Sequence, residues 1–145
     1  MHKRFTKILL LFVALNLVLS CRNNIEQRRK FIKPIPFEKQ NWLGIDNDGI
    51  SDAETLWKYR PGMARYLINK EILIGKSRAE IIEMLGKDGN DGFNEKREIE
   101  YELEQIWIRN IDPAAIEHLK INFNGEDKVE KAEIEFHKTG DWSDF

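Results

Sequence analysis

Apolar and polar residues alternate along the second half of the chain with a period of two, which is typical of half-buried β-strands. REIEYELEQIWI, which begins at Arg97, alternates glutamates with the apolar residues Ile99, Tyr101, Leu103 and Trp107. HLKINF and AEIEFH repeat this alternation further along the chain. We therefore expect three antiparallel strands, each of which directs one apolar row into a shared core.

The apolar positions of the last strand change sides between Val129 and the inward row of Ala132, Ile134 and Phe136. One additional residue in this strand accounts for the change, because side chains in a regular strand alternate strictly between its two faces. We therefore predict a β-bulge or a long turn near Glu130.

Apolar residues at helical spacing precede the strands and predict two helices. PGMARYLINKEIL is the first, with Pro61 in its opening turn and Met63, Leu67 and Ile68 on its core-facing side. The expected fold class is therefore α+β, with two helices packed on a three-stranded antiparallel sheet.

The second helix has recognisable signals at both ends. Ser77 and Glu80 form a capping box at its start, and Gly86 is placed to end it in the left-handed conformation. The tripeptide GKS at 75–77 does not belong to a phosphate-binding loop, because the position of that motif's first glycine holds Lys70. The apolar face of this helix contains Ile81, Ile82 and Leu85.

The first residues of the chain have the organisation of a secretory signal peptide, in which a basic segment is followed by an apolar segment and then by a small residue before the cleavage site. The apolar run ILLLFVALNLVL would span about 18 Å as a helix, which is too short for a bilayer core of about 30 Å. Ser20 and Cys21 follow, and VLSC at 18–21 resembles the lipobox of bacterial lipoproteins, which implies that Cys21 becomes an acylated first residue carrying palmitate and related chains. The alternative is an ordinary signal peptide followed by a chance cysteine.

These features divide the chain into four expected segments. They are a lipoprotein signal peptide at 1–20, a lipidated tether at 21–36, the α+β domain at 37–137 and a C-terminal tail at 138–145. The tether is rich in Arg and Lys. Either it lies against anionic head groups or it is a solvated linker, and both interpretations stay open.

Charge and cysteine content narrow the classes of function. Removal of the signal peptide lowers the count of Lys and Arg from 23 to 20 against 25 Asp and Glu, which gives a net charge of −5. A chain with this balance is not expected to bind nucleic acid. Cys21 is the single cysteine, so no intrachain disulfide can form.

Six glutamates occupy the expected outward positions of the strands, with Lys120 and Lys131 among them. In either pairing register Lys120 falls near a glutamate of the last strand, which is a favourable cross-strand pair. The row is an acidic docking surface for a basic partner or a solvated face. A small hydrolase is a further alternative, although an open strand face lacks the pocket that separates the pKa values of a catalytic pair. The candidate partner-binding residues are Glu98, Glu100, Glu102, Glu104, Glu133 and Glu135.

Catalytic and metal-binding motifs are incomplete. His118 and His137 lie at the two ends of one expected hairpin, and one register places them side by side on the outer face. Two histidines without a cysteine or an HExxH motif make only a weak metal site. DNDG at 46–49 is expected to be a turn, because an EF-hand loop aligned on it would lack both end carboxylates. We expect no catalytic residue, no metal and no cofactor.

The capped helix also resembles part of a known family. GKSRAEIIEMLG at 75–86 is similar to the GxTxxEVxxxLG helix of the SmpA/OmlA (BamE-like) family of small bacterial lipoproteins, which shares its architecture with the β-lactamase-inhibitor proteins. The resemblance extends over Phe37 to Phe136 and implies two helices against a three-stranded antiparallel sheet. The positions that match the family's hairpin pattern are Leu119, Ile121, Phe123, Gly125 and Val129.

By this resemblance the protein is expected to be a lipid-anchored, non-catalytic interaction or assembly module of the bacterial cell envelope, with outer-membrane maintenance as the process. The anchor would lie in the outer membrane or a periplasm-facing leaflet. The expected partners are the membrane, through acylated Cys21, and an envelope protein that the sequence does not identify. The shared architecture suggests a periplasmic protein inhibitor of an enzyme as the alternative, although inhibitors of that fold are tandem and this chain has one copy.

Overall fold

In the described part of the chain, three strands form an antiparallel sheet in which they lie side by side in chain order, and three helices accompany it. The α+β class and the three-stranded antiparallel sheet are therefore confirmed, and one short helix is an addition to the two that the sequence predicted. In chain order the elements are α1 (Lys39–Leu43), α2 (Ala53–Asn69), α3 (Arg78–Leu85), β1 (Glu98–Trp107), β2 (Pro113–Phe123) and β3 (Val129–Lys138).

This computed structural model describes residues 31–45, 53–87, 97–107 and 113–139. Lys33–Trp142 forms one compact unit, and the residues described from the rest of the chain are Phe31 and Ile32. The predicted signal peptide, the acylation site at Cys21, most of the tether and the turn at 46–49 lie outside the described residues. No described helix is long and apolar enough to cross a bilayer.

Helix α2 begins at Ala53, so the prediction that Pro61 lies in its first turn is wrong. Proline in a helix interior removes one hydrogen bond and is ordinarily costly. Packing supports the helix here, because Pro61 and Gly62 are both buried and the extended chain before α1 crosses at this point. The N–H of Ile35 donates to the carbonyl of Gly62 (3.2 Å), and a Cβ on Gly62 would lie 2.9 Å from the Ile35 side chain.

The core lies between the inner face of the sheet and the helices. Trp42 of α1 is at its centre: its indole N–H donates to the carbonyl of Leu85 (2.9 Å), and its ring meets that of Tyr101 edge-on at 5.8 Å. Met63 and Leu67 are buried as predicted, and Ile68 is half-buried against the same cluster. The other buried members are Ala64, Leu73, Ile81, Leu85, Ile99, Leu103, Leu119, Ile121, Phe123 and Val129.

The capping box of α3 forms as predicted. The Ser77 side chain accepts from the N–H of Glu80 (3.3 Å), and the Ser77 N–H donates to the Glu80 carboxylate (2.7 Å). This backbone hydrogen bond, helped by the one from the Ser77 hydroxyl, lowers the pKa of Glu80. Gly86 has a positive φ of 84° but a ψ of 174°, so it ends the helix outside the left-handed helical conformation that was predicted.

Substitutions in this helix should follow the capping interpretation rather than a phosphate-binding one. Ser77→Ala should cost about 1 kcal/mol through loss of the cap, whereas Lys76→Ala should change the free energy of unfolding little. Leu85→Ala should cost about 2–5 kcal/mol, because the Leu85 side chain is 1% exposed. Urea unfolding of the three variants checks this order, and a series in which Lys76→Ala is the most damaging contradicts it.

Register shifts explain where the strand alternation holds and where it fails. The pairs Asn122–Lys131 and Phe123–Val129 leave Glu130 as an additional residue, which confirms the predicted bulge. A second shift, which the sequence analysis did not predict, makes Leu103 an additional residue in β1.

Trp107 was predicted to point into the core, and that prediction is wrong, because its side chain is 44% exposed. The shift at Leu103 and another between Ile106 and Trp107 interrupt the alternation before it.

Candidate functional site

The centre of the outer sheet face is a lysine among three carboxylates. Lys120 projects from the middle strand, and its Nζ lies 3.4 Å from Glu98, 3.7 Å from Glu100 and 3.6 Å from Glu135. The side chains are between one fifth and one third exposed. The predicted cross-strand pairing of Lys120 with β3 is therefore confirmed, and we call these four residues the Lys120 cluster.

The charge state of Lys120 follows from this arrangement. Burial by itself lowers the pKa of the ammonium group, but the hydrogen bond to Glu98 and the negative charges of Glu98, Glu135 and Glu100 outweigh it and raise the pKa. A raised lysine pKa keeps the charge throughout the physiological range. The cluster therefore has three carboxylates and one fixed positive charge.

Glu133 of β3 lies at the border of the Lys120 cluster. It is directly opposite Lys120 in the register, but its carboxylate takes Lys131 as its partner at 2.6 Å. The Lys131 side chain is 60% exposed and the Glu133 side chain 36%. Exposed pairs of this kind contribute at most about 1 kcal/mol, so Glu133 and Lys131 are available for exchange with an approaching partner.

Two of the six candidate glutamates are not part of this outer arrangement. Glu102 accepts a hydrogen bond from the indole N–H of Trp57 (3.2 Å), so its carboxylate is turned toward α2. The bulge at Leu103 places Glu104 directly opposite Glu117, which is on the buried side of β2. The prediction that Glu104 faces outward with the others is therefore wrong, because one additional residue reverses the alternation.

The two histidines lie next to each other on the outer face of the sheet. This is the arrangement expected for one of the possible pairings of the last two strands. The rings of His118 and His137 meet edge-on with their centroids 5.2 Å apart. His137 Nε2 is 3.2 Å from Glu135, and the buried Nδ1 of His118 has no hydrogen-bond partner. Within the described ranges, no group of three or more His, Cys, Asp or Glu residues is arranged to hold a metal ion.

A buried ion pair on the opposite side of the sheet was missed by the sequence analysis. Glu117 is 1% exposed, and the guanidinium of Arg65 on α2 binds both of its carboxylate oxygens at 3.0 and 3.2 Å. Arg65 also donates to the carbonyl of Pro61 (2.8 Å). The sequence could have predicted that Glu117 faces the core, since it lies in the same alternating row of the strand as Leu119 and Ile121. The identity of its partner depends on how α2 packs.

One shallow depression, of about 420 Å³, lies where β1 meets the β2–β3 turn. Arg97, Glu98 and Glu130 contribute charged groups to it, and Phe123 and Gly125 are among its other lining residues. It contains one of the six candidate glutamates, so it does not unite the outer carboxylates in a common pocket.

Comparison of the chain with protein-family models, with curated proteins and with solved structures gives no significant match.

Proposed function

We propose that this chain is a lipid-anchored protein of the bacterial cell envelope and acts as a non-catalytic interaction or assembly module. The anchor rests on the sequence, where the lipobox-like VLSC at 18–21 ends the expected signal peptide and supplies Cys21. The similarity of GKSRAEIIEMLG to the SmpA/OmlA helix supports the same location and outer-membrane maintenance as the process. The net charge after signal removal supports a protein partner rather than nucleic acid.

The observation that carries the docking role is the organisation of the sheet into two different faces. The inner face is covered by the helices, whereas the outer face presents the Lys120 cluster and Glu133 at partial exposure. Carboxylates in excess over lysines make this face complementary to a basic surface. Such complementarity increases association rates and suppresses unsuitable partners more than it increases affinity.

The arrangement of the carboxylates favours binding over catalysis. A glycosidase-type mechanism needs two carboxyl groups across one substrate, one held protonated by its surroundings. Here Glu98, Glu100 and Glu135 converge on one lysine at the surface. The ammonium group of Lys120 is therefore the common partner of these three carboxylates.

Neutralising the β1 side of the outer face should reduce partner capture. We would combine Glu98→Gln with Glu100→Gln, because glutamine preserves side-chain size and avoids placing a second cation opposite Lys120. Crosslinking of the full chain in intact cells should then capture the envelope partner at reduced yield, and residual binding should depend less on salt.

The matched control combines Glu83→Gln with Glu126→Gln, which makes the same charge change at exposed sites on α3 and in the β2–β3 turn. Circular dichroism verifies folding of both pairs. An equal loss of capture in the control would show that the change in net charge, and not the outer face itself, causes the effect. Unchanged capture in the outer-face variant would show that the Lys120 cluster is solvated surface.

A further inference from the structure

The two edges of the sheet differ in how well they could accept another strand. β1 has two register shifts and an inward-facing glutamate at its second half, features that discourage strand addition. β3 pairs regularly with β2 from Lys131 to Lys138, after its single bulge. An edge of this kind presents unpaired backbone groups to a neighbouring chain.

The outer backbone of β3 is occupied at its beginning. The N–H of Val129 donates to the carbonyl of Lys76 (2.8 Å), and the N–H of Gly75 donates to the carbonyl of Val129 (2.9 Å). Beyond this point no described strand lies beside β3. Among the described residues, the part of the edge without a strand partner therefore begins after Glu130.

The inner row of β3 is less well covered than the row of the strand beside it. Ala132 and Ile134 are half-buried, whereas their partners on β2, Ile121 and Leu119, are completely buried. A strand added at this edge with apolar residues on the same face would extend the core across Ala132 and Ile134.

We propose that β3 pairs antiparallel with β3 of a second copy of this chain, about a two-fold axis that passes at Glu133. A two-fold contact uses the same patch on both subunits. In this register Ala132 lies opposite Ile134 of the second copy on the inner face, and Lys131 lies opposite Glu135 of the second copy on the outer face. Each of these contacts occurs twice.

Neighbouring registers are less favourable. An axis at Ile134 would set Glu133 against Glu135 of the second copy twice, and like charges directly opposite are destabilising. An axis at Ala132 would leave only residues 131–133 paired with the second copy, because the edge before them is already occupied, whereas the axis at Glu133 pairs residues 131–135. The axis at Glu133 has one like-charge contact, between the two Glu133 side chains, and each has Lys131 of its own chain at 2.6 Å.

A single engineered cysteine tests this register in the full chain, purified in excess detergent micelles and carrying Cys21→Ser. Residues directly opposite in an antiparallel pair have Cβ atoms about 4.5–5.5 Å apart, close to the separation that a disulfide requires. Glu133→Cys should therefore give a covalent dimer on mild oxidation. Glu126→Cys, in the exposed β2–β3 turn, should remain monomeric, and mixing Lys131→Cys with Glu135→Cys should give the crosslinked mixed pair.

Charge reversal gives a second readout that does not depend on cysteine chemistry. Lys131→Glu should weaken self-association in sedimentation experiments by about tenfold, and addition of Glu135→Lys in the same chain should restore it. Glu133→Gln should strengthen it. The proposal is overturned if the wild-type chain is monomeric at all concentrations, if Glu126→Cys crosslinks as readily as Glu133→Cys, or if a foreign basic strand occupies the edge instead.

Discussion

Replacement of Arg65 by alanine should destabilise the domain by about 3–5 kcal/mol, because it removes the guanidinium that pairs with the buried carboxylate of Glu117. The guanidinium binds both carboxylate oxygens, and the Glu117 side chain is 1% exposed. Water therefore cannot replace the lost partner. The free energy of unfolding measured in urea at neutral pH checks the size of the loss.

An exposed ion pair of equal length provides the control. Arg78 lies 3.0 Å from Asp127, the same separation as in the buried pair, but the Asp127 side chain is 57% exposed. Asp127→Asn should cost less than about 1 kcal/mol. Replacing both Arg65 and Glu117 by methionine should recover much of the loss, because both charges of the pair are then removed together. Equal penalties for Arg65→Ala and Asp127→Asn would contradict the burial argument.

Truncation of Trp42 should have an effect of similar size. Trp42→Ala removes a completely buried indole from between α1 and the sheet, and large-to-small changes of this kind cost about 3–5 kcal/mol. It also removes the donor to the carbonyl of Leu85 and the edge-on contact with Tyr101. Thermal and urea unfolding of the variant measure the combined loss.

Trp57 on α2 is a control of the same residue type. Its indole also donates a hydrogen bond, to Glu102, but the side chain is only half-buried. Trp57→Ala should therefore cost clearly less than Trp42→Ala. If the two substitutions destabilise the domain equally, Trp42 is not the centre of the core.

Local patterns predicted the elements whose signals lie within a few residues. The capping box at Ser77 formed as expected, and so did the bulge at Glu130, because a cap and a change of parity are both local. Helix α2 was predicted too short, since proline at a helix start is a preference that tertiary packing can override. Short α1 has too few turns to produce a periodic signal.

Part of the candidate site was predicted correctly, because alternation along a strand is also a local pattern. Alternation correctly placed Glu100 and Glu135 on the outer face beside Lys120. Alternation failed at Glu104, because the bulge at Leu103 exchanges the inner and outer faces for the residues that follow it. A sign of that bulge is present in the sequence, where polar Gln105 occupies the apolar row and apolar Ile106 the polar one.

Acylation of Cys21 is the claim on which the envelope location depends, and one measurement tests it directly. Intact mass spectrometry of the protein from a bacterial membrane fraction should show a chain that begins at Cys21 with the added mass of a lipid anchor. Cys21→Ser should lose that mass and move to the soluble fraction if its signal is removed by another route. A wild-type protein that is soluble, carries no lipid mass and begins at any other residue would contradict the lipoprotein interpretation.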